Sequence, residues 1–296
     1  MTLVGTAPEA PGAKASPHSG DRATATNPNK ALWEKGDFTR LAATMRESGE
    51  ELVESLGVLA GMDVLDLGCG DGTTALPAAR RGANVLGIDI AANLVAAGNA
   101  RARAAGFINL RFEEGDASRL DGIADDGFDL VATMFGAMFA PRPIEVAKEM
   151  VRVARPGGRI VMGNWIPGDP TLIARVLQIC ASYSPPPPEG FVSPVTWGQE
   201  AIVRERFAAA GVGGEAINCE RAAYTFRYAG PPRDFLAIFR NYYGPTMNAF
   251  EAAALSGRDA ELQAELEQLF EAENRGEPDR TEIPANFLKV MVRKPF

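Results

Sequence analysis

The stretch VLDLGCGDGTTALPAAR, residues Val64–Arg80, joins an apolar run, a glycine-rich turn and an alanine-rich segment. Hydrophobic Val64–Leu67 predicts a buried strand, and Thr73–Arg81 predicts a helix. The three glycines within Gly68–Gly72 let the backbone pass close to a ligand, and the start of the helix offers free amide donors. An ordinary turn between strand and helix is the alternative, but three glycines in five residues favour a binding loop.

On both sides of this loop, strand-like and helix-like segments alternate along the chain. Alternation of this kind predicts a parallel sheet covered by helices on both faces. The predicted strands are Val64–Leu67, Asn84–Asp89, Asn109–Phe112, Phe128–Phe135, Arg159–Trp165, Glu215–Tyr228 and Asn286–Arg293. The predicted helices are one or two from about Ala31 onwards, then Thr73–Arg81, Leu94–Ala105, Pro143–Val153, Thr171–Tyr183, Thr196–Ala210, Arg233–Tyr243 and Ala249–Asn274. We expect an α/β fold with a Rossmann-like, seven-stranded, mostly parallel sheet whose last two strands are antiparallel.

The composition changes towards both ends of this pattern. Residues 1–27 are rich in Ala, Pro, Gly, Ser and Thr and poor in large apolar side chains, so we expect a disordered tail there. We expect residues 28–296 to form one domain, without a separate second one. Within it, residues 31–165 carry the regular alternation, and the segments 166–194 and 231–280 are predicted to be helical lid insertions.

Charge and composition limit the possible partners of the chain. The net charge of -8 argues against a protein that holds nucleic acid through phosphate contacts. Cys69, Cys180 and Cys219 are too few and too scattered for a disulfide framework or a zinc site, and we expect no metal. No apolar run approaches the roughly 20 residues that span a bilayer. We expect a cytoplasmic monomer or homodimer without a membrane partner.

The residues around the glycine loop limit the kinds of ligand that it could bind. A dinucleotide fingerprint GxGxxG would need its third glycine at the position that Thr73 occupies. The strand carries Asp66 and the loop carries Asp71, and two carboxylates would repel a pyrophosphate. A cationic ligand suits them better, and S-adenosylmethionine carries a sulfonium and an ammonium but no phosphate.

Five segments together resemble the class I S-adenosylmethionine-dependent methyltransferases, particularly the small-molecule branch. They are DLGCGDG (66–72), GIDI (87–90), EGDAS (114–118), FDLVATMF (128–135) and VRVARPGGRIVMGNW (151–165). The resemblance is good from about Leu32 to Trp165 and holds only in outline beyond. It implies that residues 31–165 form the half that binds the cofactor, S-adenosyl-L-methionine.

The resemblance assigns the polar part of the cofactor to the first two motifs. Gly68, Cys69 and Gly70 would lie under the methionine part, with Asp66 orienting the loop or the ammonium. Asp89, at the end of the second strand, would accept both ribose hydroxyls. For Asp66 and Asp89 the structural alternative is a cap at the end of a strand.

The same resemblance assigns residues to the adenine and to the transferred methyl group of the cofactor. Ile90 would press on the adenine, Asp116 would take its amino group and Ala117 would give a backbone donor. Phe135 would sit near the transferring methyl, and Trp33 belongs to a helix that in similar enzymes folds over the cofactor. The alternatives are a turn acid for Asp116 and core packing for Trp33.

The acceptor is expected to be a small molecule held under the inserted segments. TMFGAMFAPRP, after the fourth strand, lacks the Asn/Asp-Pro-Pro-aromatic run of amino-methylating enzymes that act on DNA or glutamine, and it lacks a cysteine nucleophile. Aromatic candidates for the acceptor pocket are Trp165, Tyr183, Trp197, Tyr242 and Tyr243, with burial against the sheet edge as the alternative for each.

The histidine count bears on the chemistry of the acceptor. The chain has one histidine, His18, which falls in the predicted tail. Acceptors that ionise easily or are already nucleophilic, such as a thiol, phenol, amine or stabilised carbanion, therefore fit better than an aliphatic alcohol. Two other functions stay open at this point, a non-catalytic module that binds S-adenosylmethionine and a nicotinamide-dependent oxidoreductase.

Overall fold

The structure, a computed structural model, describes residues 29–296, so the predicted tail of residues 1–27 lies outside the described residues. Seven strands form one sheet in the order β3-β2-β1-β4-β5-β7-β6. The strands are β1 (Asp63–Leu67), β2 (Asn84–Asp89), β3 (Leu110–Glu114), β4 (Phe128–Met134), β5 (Ala154–Trp165), β6 (Ile217–Tyr228) and β7 (Thr281–Arg293). β1 to β5 pair in parallel, whereas β7 is antiparallel to both β5 and β6. The predicted Rossmann-like, mostly parallel sheet with an antiparallel last pair is confirmed.

Helices connect these strands and extend beyond them. They are α1 (Asn29–Glu34), α2 (Thr39–Ala43), α3 (Arg46–Ser55), α4 (Ala75–Arg80), α5 (Ala92–Ala104), α6 (Pro143–Val153), α7 (Leu172–Tyr183), α8 (Glu200–Ala209), α9 (Pro232–Tyr242), α10 (Gly244–Leu255) and α11 (Asp259–Glu273). Short 3-10 turns lie at Ala137–Phe139, Pro194–Gly198 and Gly214–Ala216. Within residues 29–296 no helix has the length and apolar character that crossing a membrane requires.

Two helix predictions were too coarse. The predicted helix Ala249–Asn274 is interrupted at Gly257, whose φ of 67° is a left-handed conformation that ends α10. The one or two helices predicted near the start are three, because Gly36 at φ 72° separates α1 from α2. Glycine takes up such angles without the steric cost that a Cβ atom brings.

The residues RPGG (155–158) lie inside β5 as an irregularity. Phe128 pairs with Ala154 and Leu130 pairs with Arg159, so the pairing with β4 shifts across these residues. Arg155, within the shift, places its guanidinium 2.7 Å from a carboxylate oxygen of both Asp63 and Asp129. One arginine thereby ties the starts of β1, β4 and β5 together.

The neighbours β1 and β4 determine where a ligand can bind. From β1 the next strands, β2 and β3, lie on one side, whereas β4 and β5 lie on the other, so the strand order reverses between β1 and β4. Open sheets of this kind bind ligands beyond the carboxyl ends of the strands at such a reversal. The loops after β1 and β4 also approach closely, since a Cβ atom on Gly136 would lie 2.3 Å from the Gly68 oxygen. This close approach forms one end of the cavity described below.

The two predicted insertions form a helical layer. α7 packs against α10 and α11, and α9 also packs against both. Their shared interior is aromatic, with Phe235, Phe239 and Phe270 fully buried and their ring centroids 5.1 to 5.5 Å apart. α9 also contacts α2, so this layer adjoins the helices at the start of the described chain.

Candidate active site

A cavity lies beyond the carboxyl ends of β1, β2 and β4. Its walls come from the loops that follow the first four strands, from α1 and α2, and from Tyr224 on β6. The space between the lining atoms, including the open mouth, is about 970 Å³. Small-molecule sites are typically concave and mostly apolar, with a few placed polar groups. This cavity has that character, because its carboxylates lie at the ends of β1 and β2 and in the loop after β1, while much of the remaining lining is apolar.

The cavity brings together nearly all residues that the first motifs placed at the cofactor. Those that line it are Trp33, Asp66, Gly68, Cys69, Gly70, Asp89, Ile90, Ala117 and Phe135. Asp116 is not among the lining residues. Its Oδ1 accepts hydrogen bonds from the Ser118 amide and hydroxyl, and Arg142 lies 3.6 Å from its Oδ2. The proposed contact of Asp116 with an adenine amino group therefore stays a prediction.

The glycine loop exposes its backbone to the cavity. Gly68 and Gly70 have φ of 69° and 54°, left-handed angles at which side chains are strained. A Cβ atom on Gly70 would meet nothing within 4 Å, whereas one on Gly68 would lie 2.7 Å from the Gly136 Cα atom. Gly70 thus faces open space where a ligand can reach the backbone, and Gly68 permits the contact with the neighbouring loop.

Asp66 is a buried carboxylate with an unused oxygen. The residue is 2% exposed, and Oδ2 has no hydrogen-bond partner among the described residues. Burial, together with the nearby Asp89, raises the pKa of this carboxyl to about 7. A buried charge is costly unless it is paired, so a cation in the cavity would stabilise the ionised form. An ammonium group fits this site.

Asp89 is held in place by the backbone around it. Its Oδ2 accepts a hydrogen bond from the Gly70 amide at 2.8 Å, and its Oδ1 accepts one from the Ala91 amide at 2.9 Å. Burial raises the pKa of Asp89, and these backbone donors act in the opposite direction. The carboxylate thus links the glycine loop to the end of β2, as expected for a residue that caps the end of a strand. It also lines the cavity.

Asp71 does not act as a free negative charge. Its carboxylate pairs with Arg46, and Arg101 lies 3.4 Å from the same oxygen and also donates to the Asp71 carbonyl. The argument that Asp71 repels a pyrophosphate is therefore wrong, because two guanidinium groups compensate its charge. The preference for a cation rests on Asp66, because burial and another acid, Asp89, raise its pKa.

Cys69 lies in the loop as an unreactive thiol. It is buried, and burial raises its pKa well above the usual range, with further contributions from Asp89 and Asp66. Because the thiolate is the nucleophilic form, this position disfavours covalent chemistry. The described residues also contain no group of three or more His, Cys, Asp or Glu that could hold a metal ion.

Helix α1 closes one side of the cavity through polar contacts. Lys30 donates to the Ile90 carbonyl at 3.0 Å and to the Glu114 carboxylate, and Glu114 and Glu34 raise the pKa of Lys30. Glu34 accepts from the Ala92 amide at 3.1 Å. No residue of α1 is fully buried, and these contacts, together with the packing of Trp33 on the core, hold the helix over the loops after β2 and β3.

The opposite part of the cavity is an apolar wall. Phe135 has φ 63°, uncommon for a residue with a side chain, and its ring stacks on Trp165 with centroids 3.7 Å apart. Tyr224 meets the Phe135 ring edge-on at 5.2 Å and donates its hydroxyl to the Met45 carbonyl at 2.9 Å. Trp33 closes the wall at the side of α1.

None of the five aromatic residues predicted for the acceptor lines this cavity. Trp165 lies behind Phe135, and Tyr243 lies behind Trp33 with ring centroids 6.0 Å apart. Tyr183 donates to Glu265 at 3.0 Å, and Tyr242 is half-buried at the end of α9. Trp197 is buried beneath the Arg206 guanidinium, 4.4 Å from its ring centroid. Their direct contact with an acceptor stays a prediction.

Several lining residues were not predicted from the sequence. Tyr224, Met45 and Phe139 are far apart in the chain, and each lies at the cavity because of its place in the tertiary fold. Phe139 follows β4 closely enough that the apolar run after that strand could have suggested it. Tyr224 depends on the register of β6 against β7, which no local motif indicates.

The chain is similar to several known proteins. A family profile described as a methyltransferase domain matches residues 64–158, which include the glycine loop and β1 to β4. An uncharacterised protein of Mycobacterium tuberculosis is 34% identical over 256 residues, 86% of this chain and 90% of the relative. The methyltransferase GfsG of Streptomyces halstedii is 37% identical over 126 residues, 42% of this chain and 45% of GfsG. Among solved structures, the YcgJ protein of Bacillus subtilis has a TM-score of 0.53 at 17% identity, covering 84% of this chain and 99% of that chain, and is similar in fold.

Proposed function

Since the chain belongs to the class I S-adenosylmethionine-dependent methyltransferases, we propose that it transfers the methyl group of this cofactor to a small molecule bound in the same cavity. The observation that carries the proposal is the construction of that cavity. A polar end with the unpaired Asp66 carboxylate adjoins an apolar wall that contains Phe135. One enclosed space thus offers a site for the cofactor and a site for an apolar acceptor.

Within this proposal the polar end holds the cofactor. The free oxygen of Asp66 would accept from the ammonium, and the open backbone at Gly70 would face the methionine part. Asp89 would use its remaining lone pairs for the ribose hydroxyls while keeping its two amide donors. When bound, S-adenosylmethionine supplies a methyl group on a positively charged sulfonium, which is already activated for transfer.

The protein would contribute position and exclusion of water more than acid–base chemistry. The described residues contain no histidine, and the Tyr224 hydroxyl is occupied by the Met45 carbonyl, with a pKa raised by burial. Holding two reactants in line can account for roughly 7–11 kcal/mol of a barrier. The acceptor would then lose any proton to water, which favours a thiol, phenol, amine or stabilised carbanion.

A non-catalytic S-adenosylmethionine-binding module is the remaining alternative, since family membership leaves the nicotinamide-dependent oxidoreductase without support. The two functions differ in what happens to the methyl group. The test is to incubate the protein with cofactor labelled in the methyl group and with fractionated small-molecule extracts. Label recovered in a small molecule supports the proposal, with the Asp66→Asn variant as a control for background transfer. Tight cofactor binding without transfer to any fraction would favour the module.

A further inference from the structure

The charges that line the cavity have one sign. Asp66, Asp71 and Asp89 are its charged residues among those described, and none of its described lining residues is Lys, Arg or His. The cations beside the cavity are engaged by acids: Arg46 and Arg101 pair with Asp71, and Lys30 on α1 pairs with Glu114. An anionic group on an acceptor would therefore find no partner here and would lie near Asp66 and Asp89.

The wall on the acceptor side is formed by rings and thioethers. Trp33 meets Phe139 edge-on with centroids 4.8 Å apart, and Phe135 meets Tyr224 in the same way at 5.2 Å. Met45 lies beside them in the lining and is 9% exposed. Aromatic faces and edges favour flat apolar partners, and thioethers adapt to their outline.

We infer that the acceptor is a flat, apolar molecule that carries no carboxylate or phosphate. This inference deepens the proposed function and rests on it, because it names the acceptor class of the same cavity. At the apolar wall, where none of the described lining residues is a cation, an acceptor carboxylate would be buried without a partner, and the nearby carboxylates would repel it. The cofactor's own carboxylate would instead lie at the backbone of the glycine loop and the start of the helix after it. An uncharged ring system loses little hydration and gains contact with the wall. The cavity thus selects against anionic acceptors by the absence of a counter-charge among its described lining residues.

A matched pair of probes tests this selection by equilibrium binding. The full-length protein is saturated with S-adenosylhomocysteine, the demethylated cofactor, and titrated with 2-naphthol or with 6-hydroxy-2-naphthoate at pH 7.5, followed by their fluorescence. The two probes share a ring system and differ by one carboxylate. We expect the carboxylate to bind at least about 10-fold more weakly. Equal or tighter binding of the carboxylate, or no binding of 2-naphthol, would overturn the inference.

A charge placed in the wall provides an independent check. In Met45→Lys an ammonium replaces a thioether on a side chain of similar length, and Met45→Gln is the matched neutral control. We expect Met45→Lys to bind the naphthoate at least about 10-fold more tightly than Met45→Gln does. Equal affinities in the two folded variants would contradict the inference, and if Met45→Lys fails to fold the probe pair on the parent protein still decides. Both readouts are independent of turnover, so a protein that prefers 2-naphthol but methylates nothing contradicts the proposed function and not this selection.

Discussion

The polar end of the cavity and its apolar wall are built in different ways. The polar end uses residues at the end of β2 and in the loop after β1, with Gly68 and Gly70 in left-handed conformations and Asp89 bound to backbone amides. The wall brings together Trp33 on α1 and Tyr224 on β6, which are far apart in the chain and each contact another aromatic ring of the lining. A left-handed backbone conformation restricts which residue can occupy a position, whereas an apolar wall tolerates substitution by apolar side chains of similar volume. We therefore expect acceptor choice to change more easily than cofactor binding.

Replacement of Gly68 tests the polar end most severely. In Gly68→Ala a left-handed residue acquires a Cβ atom that lies 2.7 Å from Gly136, so strain and a backbone clash add. We expect the free energy of unfolding to fall by about 3–5 kcal/mol. Gly70→Ala is the matched control, because its added Cβ meets nothing within 4 Å and only the strain of about 1–2 kcal/mol remains. Equal losses in thermal or denaturant unfolding would show that the clash is absent.

Asp66→Asn should separate stability from binding. Burial raises the pKa of Asp66 from 3.8 to about 7, so between these values the folded protein holds a proton that the unfolded chain releases. Stability of the cofactor-free protein therefore falls as pH rises through this window and stays lower above pH 7. The neutral amide avoids this cost, and we expect Asp66→Asn to be about 2–4 kcal/mol more stable than the parent at pH 8.

The same variant should bind the cofactor less well. Without the carboxylate, the ammonium loses a charged partner, and we expect S-adenosylmethionine affinity to fall by about 1.5–3 kcal/mol at pH 8. Calorimetric titration and urea unfolding at pH 5 and pH 8 measure the two effects. The gain in stability should shrink to less than half at pH 5 and disappear only below about pH 4, where the unfolded chain also holds its proton. A variant that is less stable at pH 8 yet binds the cofactor normally would contradict this role of Asp66.

Asp89→Ala addresses the second acid of the polar end. The change removes the predicted acceptor of the ribose hydroxyls and two hydrogen bonds from Gly70 and Ala91. We expect cofactor binding to weaken by about 1.5–3 kcal/mol, as measured by calorimetry. Asp116→Ala provides a comparison, since Asp116 faces Ser118 outside the cavity lining and should have the smaller effect. The opposite ranking would move the adenosine site towards Asp116.

Tyr224→Phe should have the smallest effect, because it retains the ring. The variant loses the hydrogen bond from the tyrosine hydroxyl to the Met45 carbonyl, which keeps its bond from the Gly49 amide. We expect a loss of about 0.5–1.5 kcal/mol in the free energy of unfolding, with cofactor affinity nearly unchanged. A large loss of cofactor affinity would show that the wall and the polar end are coupled after all.

The sequence predicted best what depends on neighbours in the chain. Asp66, Gly68 and Asp89 adjoin strands with clear apolar runs, so the carboxyl ends of a parallel sheet bring them together. Asp71 was misjudged because its counter-charges, on α3 and α5, become neighbours only in the folded chain.

The acceptor wall was harder to predict for the same reason. An aromatic residue has the same local sequence pattern whether it faces a cavity or a neighbouring helix. Tyr183 and Trp197 pack against Glu265 and Arg206, while the unpredicted Tyr224 reaches the cavity through the pairing of β6 with β7. Long-range register and packing, not composition, distinguish these cases.

Chemical modification of the buried Cys69 thiol can report how often the glycine loop opens. Burial raises the pKa of Cys69 well above the usual range and that of Cys180 to about 12, whereas an unfolded cysteine has a pKa of about 8.5. An alkylating reagent at neutral pH can therefore modify Cys69 only when the loop opens. The rate of that modification measures how often the binding loop leaves its folded position, and a bound cofactor should slow it in proportion to its affinity.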